Sequence, residues 1–380
     1  MISSAVSAHS RLSSTIHDLR HNSSSCLLLT MNPDLRDESS LSNPHEVQVK
    51  HLLWEITVNF DRKRLEGTAT YELERKVGNV LALDTNHLEI VAVTDQDGNK
   101  LSWKLHKSPA PHLGRQLAIT LQESTASVQI AYRTTPTATA CQWLPPSQTA
   151  GKKHPYLFTQ CQAIHARSLL PCQDMPGVKM TYAARVIVPS WATCVLSAVL
   201  QSSNTMEGST LYQWEQKVPI SSYLLAMAVG DLERREVSPR CAIWSEPALV
   251  EAAAYEFAQT EDFLKTAEDI AGKEYVWGRY DLLCLPPSFP YGGMENVSRD
   301  DGVVFLSTRL VAHPCPALFE CVLFLLSPDC ADPLVSRFSQ PLSRRLFSPE
   351  IAASPMSSRT RLRTLGRETS LPMQPGTTFG

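Results

Sequence analysis

From Glu46 onward the chain alternates apolar and polar residues with a period of two, and the pattern returns repeatedly as far as Val229. Val47, Val49, Leu53 and Ile56, then Thr57-Val58-Asn59-Phe60, read as strands, and residues 65–73 as another, across a polar turn at Asp61-Arg62-Lys63-Arg64. Residues 80–83, 88–93, 117–121 and 128–132 continue the series, and a second strand-rich run covers 180–188, 194–200, 211–218 and 223–229. Asp97-Gly98-Asn99 is a hairpin signal, because these residues accept the positive φ that tight turns require. Successive side chains on a strand point to opposite faces, so each segment buries one face and wets the other. Many short segments of this kind predict a mainly β domain, a saddle-like sandwich of mixed sheets, over residues 45–231.

The pattern changes at Ser245-Glu246-Pro247, where Ser245 reads as a helix N-cap with a proline in the first turn. Leu249, Ala253, Phe257, Phe263, Leu264, Ala267 and Ile270 follow at helical spacing, and Gly272 stops the run. Residues 280–285 read as a buried strand. Residues 232–296 are thus expected to open a second, α/β domain. Its helix and strand carry apolar faces with little after them to provide cover, which predicts exposed patches and a chaperone as a partner.

That strand runs into Pro286-Pro287-Ser288-Phe289-Pro290-Tyr291-Gly292-Gly293-Met294-Glu295-Asn296. The prolines fix the approach, and Gly292 and Gly293 strip the side chains from a short segment so that another backbone can come close. An extended peptide can pair with such an edge by strand addition, and Glu295 at its end suits a positive α-amino group. On physics alone, a Pro/Gly-rich turn with a solvated glutamate is the plainer reading.

Length and composition set the outer bounds. A chain of 380 residues, 43% of them hydrophobic and with a net charge of −3, has room for roughly two domains. It lacks the basic balance of a nucleic-acid binder, and no apolar run approaches the roughly 18 residues of a membrane span. Ten cysteines are scattered without a CxxC pair, which points to buried thiols rather than a disulfide framework, and to the cytoplasm. Residues 1–44 hold nine serines in the first 25 positions and no hydrophobic period, so they read as a disordered leader, with Met31 a candidate start for a shorter form.

After Asn296 the composition breaks: residues 297–380 contain nine arginines and no lysine, against twelve lysines before them. Residues 303–307 suit a strand, and the rest of 297–380 reads as a disordered tail. Val297-Ser298 can be encoded by GTGAGT, a common start of an intron, so the tail fits translation into a retained intron.

The PPSFPYGGMEN stretch resembles the exopeptidase motif of the gluzincin zinc aminopeptidases, peptidase family M1. Three further segments are similar to that family: residues 154–165 (HPYLFTQCQAIH), 171–176 (PCQDMP) and 275–280 (YVWGRY). The wording is nearest the two-activity branch that is both aminopeptidase and epoxide hydrolase, and the resemblance spans residues 45–296. It implies that residues 232–296 begin a thermolysin-like catalytic domain, cut short after GGMEN. It implies substrates among peptide N-termini or leukotriene A4. It also implies that Gln162 and Glu295 grip the α-amino group, that Gln160 and Tyr291 line the pocket, and that Gly292, Gly293 and Met294 present the backbone edge. A carboxylate beside a neutral amide acceptor suits an ammonium through charge-assisted hydrogen bonds. For each glutamine, an ordinary loop-capping role remains the alternative.

The family's cofactor is zinc, held by two histidines one helical turn apart and a distant glutamate. No His-Glu-x-x-His occurs among the eleven histidines. His45-Glu46 has Val49 where the second histidine belongs, and His17 and His21 have the spacing without the glutamate. The expectation is a chain without a catalytic zinc site, inactive as a hydrolase. The alternative to an enzyme is a β-rich module that binds peptides without cleaving them.

Overall fold

The computed structural model describes residues 37–108, 110–275, 279–291, 293–296 and 302–307. All of them belong to one of the chain's two compact units, Met1–Ala331. Most of the leader, the Val276-Trp277-Gly278 part of the YVWGRY segment, Gly292 and the tail beyond Ser307 lie outside the described residues.

The alternation becomes strands, except that in the run expected over 223–229 Tyr223 and Leu224 lie in a 3-10 turn and the strand begins only at Met227. In chain order the first seven are β1 (Val47–Asn59), β2 (Arg64–Arg75), β3 (Val80–Thr85), β4 (Leu88–Asp95), β5 (Trp103–Leu105), β6 (Arg115–Thr120) and β7 (Ser127–Thr134). They are followed by β8 (Cys141–Leu144), β9 (Tyr156–Thr159), β10 (Lys179–Pro189), β11 (Thr193–Leu196), β12 (Val199–Met206), β13 (Ser209–Ser221) and β14 (Met227–Gly230). A seven-stranded sheet has the order β12-β13-β10-β1-β2-β7-β4, with a four-stranded sheet β11-β14-β9-β8 and a three-stranded sheet β3-β6-β5 beside it. The large sheet is mixed, because β1 and β10 run parallel while its other pairs are antiparallel.

In β1 the inward set is Val47 and Val49, then Leu52, Trp54, Ile56 and Val58. The step of three between Val49 and Leu52 would turn the second group outward, so the strand takes a bulge there, seen as a register shift against β2. The expected inward Leu53 is therefore only partly buried. Trp54 lies in the core with its Nε1–H donating to Tyr132 Oη at 2.8 Å, which satisfies both polar tips. Each large apolar side chain so buried is worth roughly 1.5–3 kcal/mol. Gly67 lets β2 approach β1, since a Cβ there would lie 1.9 Å from the Glu55 carbonyl oxygen.

The run expected over 194–200 divides between β11 in the small sheet and β12 in the large one. Ser197 makes the crossing: its Oγ accepts the Ala226 N–H, and its carbonyl oxygen accepts Tyr182 Oη–H at 2.7 Å. β5, β8 and β9 are too short to carry a periodic signal of their own.

A five-stranded sheet begins with β15 (Glu233–Ser238) and β16 (Cys241–Ser245) and continues through β17 (Tyr280–Leu285), β18 (Gly293–Asn296) and β19 (Gly302–Ser307). Its order is β15-β16-β17-β19-β18, with β16, β17 and β19 parallel and both outer pairs antiparallel. Between β16 and β17 lie α1 (Val250–Glu256) and α2 (Thr260–Ala271).

Two sequence expectations need correction here. Ser245 is not an N-cap: it closes β16, buried, with its hydroxyl donating to the Cys284 carbonyl. The single helix is two, because the Thr260 N–H and hydroxyl both return to the Phe257 carbonyl and turn the chain. Gly272 ends α2 in the left-handed region at φ 64°.

The apolar faces of this part are covered only in part: Leu249, Phe263 and Ile270 are half-buried and Tyr255 is exposed. Val250, Ala253, Leu264, Ala267 and all the apolar residues of β17 are essentially fully buried. Arg240 ties α2 to the turn before β16, donating to Glu261 at 3.0 Å and forking onto both oxygens of Glu268 at 2.7 and 2.8 Å.

Candidate functional site

The predicted site residues come from two places in the chain, and each is held by a buried scaffold. β9 lies between β8 and β14, entirely buried, and leads into Gln160. The Gln160 N–H donates to the Ala140 carbonyl, and its Nε2 is buried without a hydrogen-bond partner among the described residues. The chain then leaves the sheet through a cis peptide bond between Gln162 and Ala163. His165 returns its N–H to the Cys161 carbonyl, and Ser168 Oγ accepts the Ala140 N–H at 2.8 Å.

Arg167 anchors the end of this loop. It is 1% exposed and donates through Nε to Asp174 at 2.9 Å, through Nη1 to Leu113 O at 2.8 Å and through Nη2 to Ser39 O at 2.8 Å. Asp84 lies 3.9 Å from the same guanidinium and accepts from Ser40 Oγ and the Leu41 N–H, both at 2.6 Å, and from the Asp174 N–H at 3.0 Å. Burial pushes the Asp84 carboxyl above its ordinary range, while Arg167 and these donors pull it back.

The PCQDMP segment, singled out by its wording, serves this scaffold. Gln173 bridges both polar groups of β1 at the bulge, donating to Val47 O and accepting the Val49 N–H. Asp174 takes Arg167 and the Ser222 hydroxyl.

The second place is the end of β17. Asp281 holds it, accepting from Ala242 N–H, Trp244 Nε1 and Arg279 Nη2, each at 3.0 Å. Phe289 folds under the loop that follows, 3% exposed, its N–H donating to the Pro286 carbonyl. Its ring meets Phe158 of β9 edge-to-face, with centroids 5.7 Å apart and planes at 76°. The same ring meets Tyr291 at 6.1 Å and 74°. Tyr291 is 47% exposed at the surface of the loop.

β18 then pairs with β19 alone, Gly293 opposite Leu306, Met294 opposite Phe305 and Glu295 opposite Val304. It is the last strand of the sheet, so its far edge carries no strand among the described residues. Met294 and Asn296 are buried, which anchors the strand from one face. The structure therefore brings Phe158, two residues before Gln160, into contact with Phe289, two residues before Tyr291. Neither phenylalanine has a role legible in the sequence, because both look like ordinary core residues.

The remaining candidate chemistry is committed elsewhere. His154 stacks on Trp191 at 4.4 Å, and ring nitrogens of His51, His87 and His165 bond to Thr181, Thr137 and Thr139. Among the described residues no group of three or more His, Cys, Asp and Glu side chains is arranged to hold a metal. Burial pushes the thiols of Cys141 and Cys284 up to about 12 and that of Cys241 to about 11, and holds Cys161, Cys172 and Cys194 well above the usual range. None of the six is a poised nucleophile. A depression of about 530 Å³ on the large sheet is lined by His51, Leu53, Thr70, Glu72 and neighbours, and includes none of the predicted site residues.

Residues 43–224 match the peptidase M1 N-terminal domain, so this part of the chain is similar to the M1 aminopeptidase-like proteins. The chain is 44% identical over 274 residues to leukotriene A-4 hydrolase of Xenopus laevis, a match covering 69% of this chain and 44% of that protein. It is 40% identical over 279 residues to leucine aminopeptidase 2 of Aspergillus terreus, covering 70% of this chain and 44% of the other. Its fold is similar to that of yeast LTA4 hydrolase in complex with bestatin, with a TM-score of 0.70 and 35% identity over 78% of this chain and 46% of the yeast chain. The chain thus spans less than half the length of these relatives.

Proposed function

We propose that this chain holds the amino-terminal end of a peptide along the free edge of β18 and does not hydrolyse it. The observation that supports this reading is the placement of β18: a glycine-led strand with no further strand on its outer side among the described residues, following a loop whose Phe289 packs on Phe158, two residues before Gln160. An extended peptide adds to that edge by main-chain hydrogen bonds. Glu295 and Gln162 take its α-amino group. The unpartnered Gln160 Nε2 is a donor for one of its carbonyl oxygens, and Tyr291 covers the first side chain.

Zinc does not fit the residues present. The 380-residue sequence holds no His-Glu-x-x-His, and the described histidines that have ring partners are turned to threonine hydroxyls or to Trp191. No step is therefore routed through a metal. Positioning an amine does not by itself generate a nucleophile at neutral pH, where family chemistry relies on metal-lowered water acidity. Cleavage of peptides and opening of the leukotriene A4 epoxide are thus outside the proposed function of this chain. Six free, buried thiols suit a reducing compartment, and the proposed location is the cytoplasm.

The test is to purify the full chain, supply zinc, and measure metal content and release of an amino-terminal alanine from a chromogenic amide. Trialanine binding is followed in parallel by calorimetry. The expected result is no stoichiometric zinc, no turnover, and binding that weakens when the peptide's amine is acetylated. Stoichiometric zinc with turnover that is lost on Glu295→Ala overturns the reading.

A further inference from the structure

We infer that Phe289 is a positioning residue that couples the two halves of this amine-binding site; the inference rests on the peptide-holding function proposed above. The halves belong to different sheets. One grows from β9 of the four-stranded sheet, and the other is the loop and edge strand of the five-stranded sheet. Between them runs a chain of three rings with graded exposure: Phe158 at 1%, Phe289 at 3% and Tyr291 at 47%. Both contacts are edge-to-face, the arrangement in which the positive rim of one ring meets the negative face of the next, so each ring sets the tilt of its neighbour.

The two ends of this chain of rings differ in rigidity. Phe158 sits in a strand paired on both sides, opposite Ala228 of β14 and Gln142 of β8, and cannot move without the sheet. Tyr291 stands in a loop two residues before a strand that, among the described residues, has a partner on one side only. Phe289 links the buried ring to the exposed one. It holds Tyr291, two residues before β18, against the strand that leads into Gln160. A peptide that spans both halves reads this spacing; a ligand that touches one half does not.

The experiment compares the full chain with Phe289→Leu, which keeps most of the volume and loses the ring, and with Phe289→Tyr, which keeps the ring. Trialanine and N-acetyl-trialanine are titrated against each, with thermal melting as the control for folding. The expected result is a preference of the parent chain for the free amine that falls about ten-fold in Phe289→Leu, with weak binding of the acetylated peptide unchanged, and that is restored in Phe289→Tyr. A folded Phe289→Leu protein with the parent's preference overturns the coupling while leaving the binding site intact. A parent chain with no preference for the free amine overturns the binding site itself and the coupling with it. In the parent chain, trialanine should also slow amide exchange in 156–163 and 291–296 together. Slowing in only one of these segments overturns the coupling irrespective of how the variants fold.

Discussion

Replacing Arg167 with alanine should be among the most damaging single changes in the β domain. The guanidinium is 1% exposed and stands between two carboxylates, Asp84 and Asp174, that are themselves 0% and 1% exposed. It also satisfies the carbonyls of Leu113, Ser39 and Asp174, which lie on three separate segments. Its removal leaves buried negative charge without a counter-charge, a change that typically costs about 3–5 kcal/mol. Part of that cost is relieved by protonation. Burial already holds the folded Asp84 carboxyl above its unfolded value, and losing the arginine raises it further. A folded state that binds its proton more tightly than the unfolded state gains stability as pH falls towards the unfolded value near 3.9. The deficit of Arg167→Ala relative to the parent should therefore be about 4 kcal/mol at pH 7 and distinctly smaller at pH 5. Urea unfolding followed by tryptophan fluorescence at both pH values measures this. A deficit under 1 kcal/mol, or one equal at the two pH values, would refute the account of Arg167 as the counter-charge of this cluster.

Two further outcomes follow from packing and burial. Gly67→Ala places a methyl group 1.9 Å from the Glu55 carbonyl and forces β1 and β2 apart, so it should cost about 1–3 kcal/mol, read from the same urea transition; an unchanged midpoint contradicts the close approach. Cys141, Cys161, Cys172, Cys194, Cys241 and Cys284 should resist iodoacetamide at pH 8 in the native chain and react after unfolding, because burial keeps them as thiols. Peptide mapping by mass spectrometry checks this site by site, and rapid native labelling of Cys161, next to the proposed pocket, would count against a rigid loop there.

Much of the local structure was legible because a strand writes its period into neighbouring residues. Leu65 to Tyr71 and Val128 to Tyr132 needed only their own alternation to become strands with a defined inner face, whereas Val47 to Val58 was legible as a strand but not in its inner face beyond the bulge. The strand expected over residues 303–307, a short apolar run without alternation inside a stretch whose composition had changed, is β19. The GGMEN edge was legible for a different reason: glycine beside glycine followed by a carboxylate restricts what a segment can present. The misreadings occurred where a local signal had two outcomes. Ser245 followed by proline suits a helix start, yet it closes a strand because the parallel pairing of β16 with β17 fills its environment. The helical run up to Ile270 broke in two because Phe257 turned inward at a bend that hydrophobic spacing does not encode.

By itself the sequence determined which segments are extended, which faces are largely apolar, and that its 380 residues hold no His-Glu-x-x-His. These properties depend on residue type and spacing alone. Only the tertiary structure decided that β10 lies parallel to β1, and that β19 enters between β17 and β18 to leave β18 at the edge. It also decided that Phe158, Phe289 and Tyr291 meet, and that Arg167 joins Asp84 to Asp174. The physical reason is that strand partners and buried contacts are chosen by how distant faces cover one another and which polar groups must be satisfied once water is excluded. Residues more than a hundred positions apart, such as Phe158 and Phe289, acquire a shared role only through that choice.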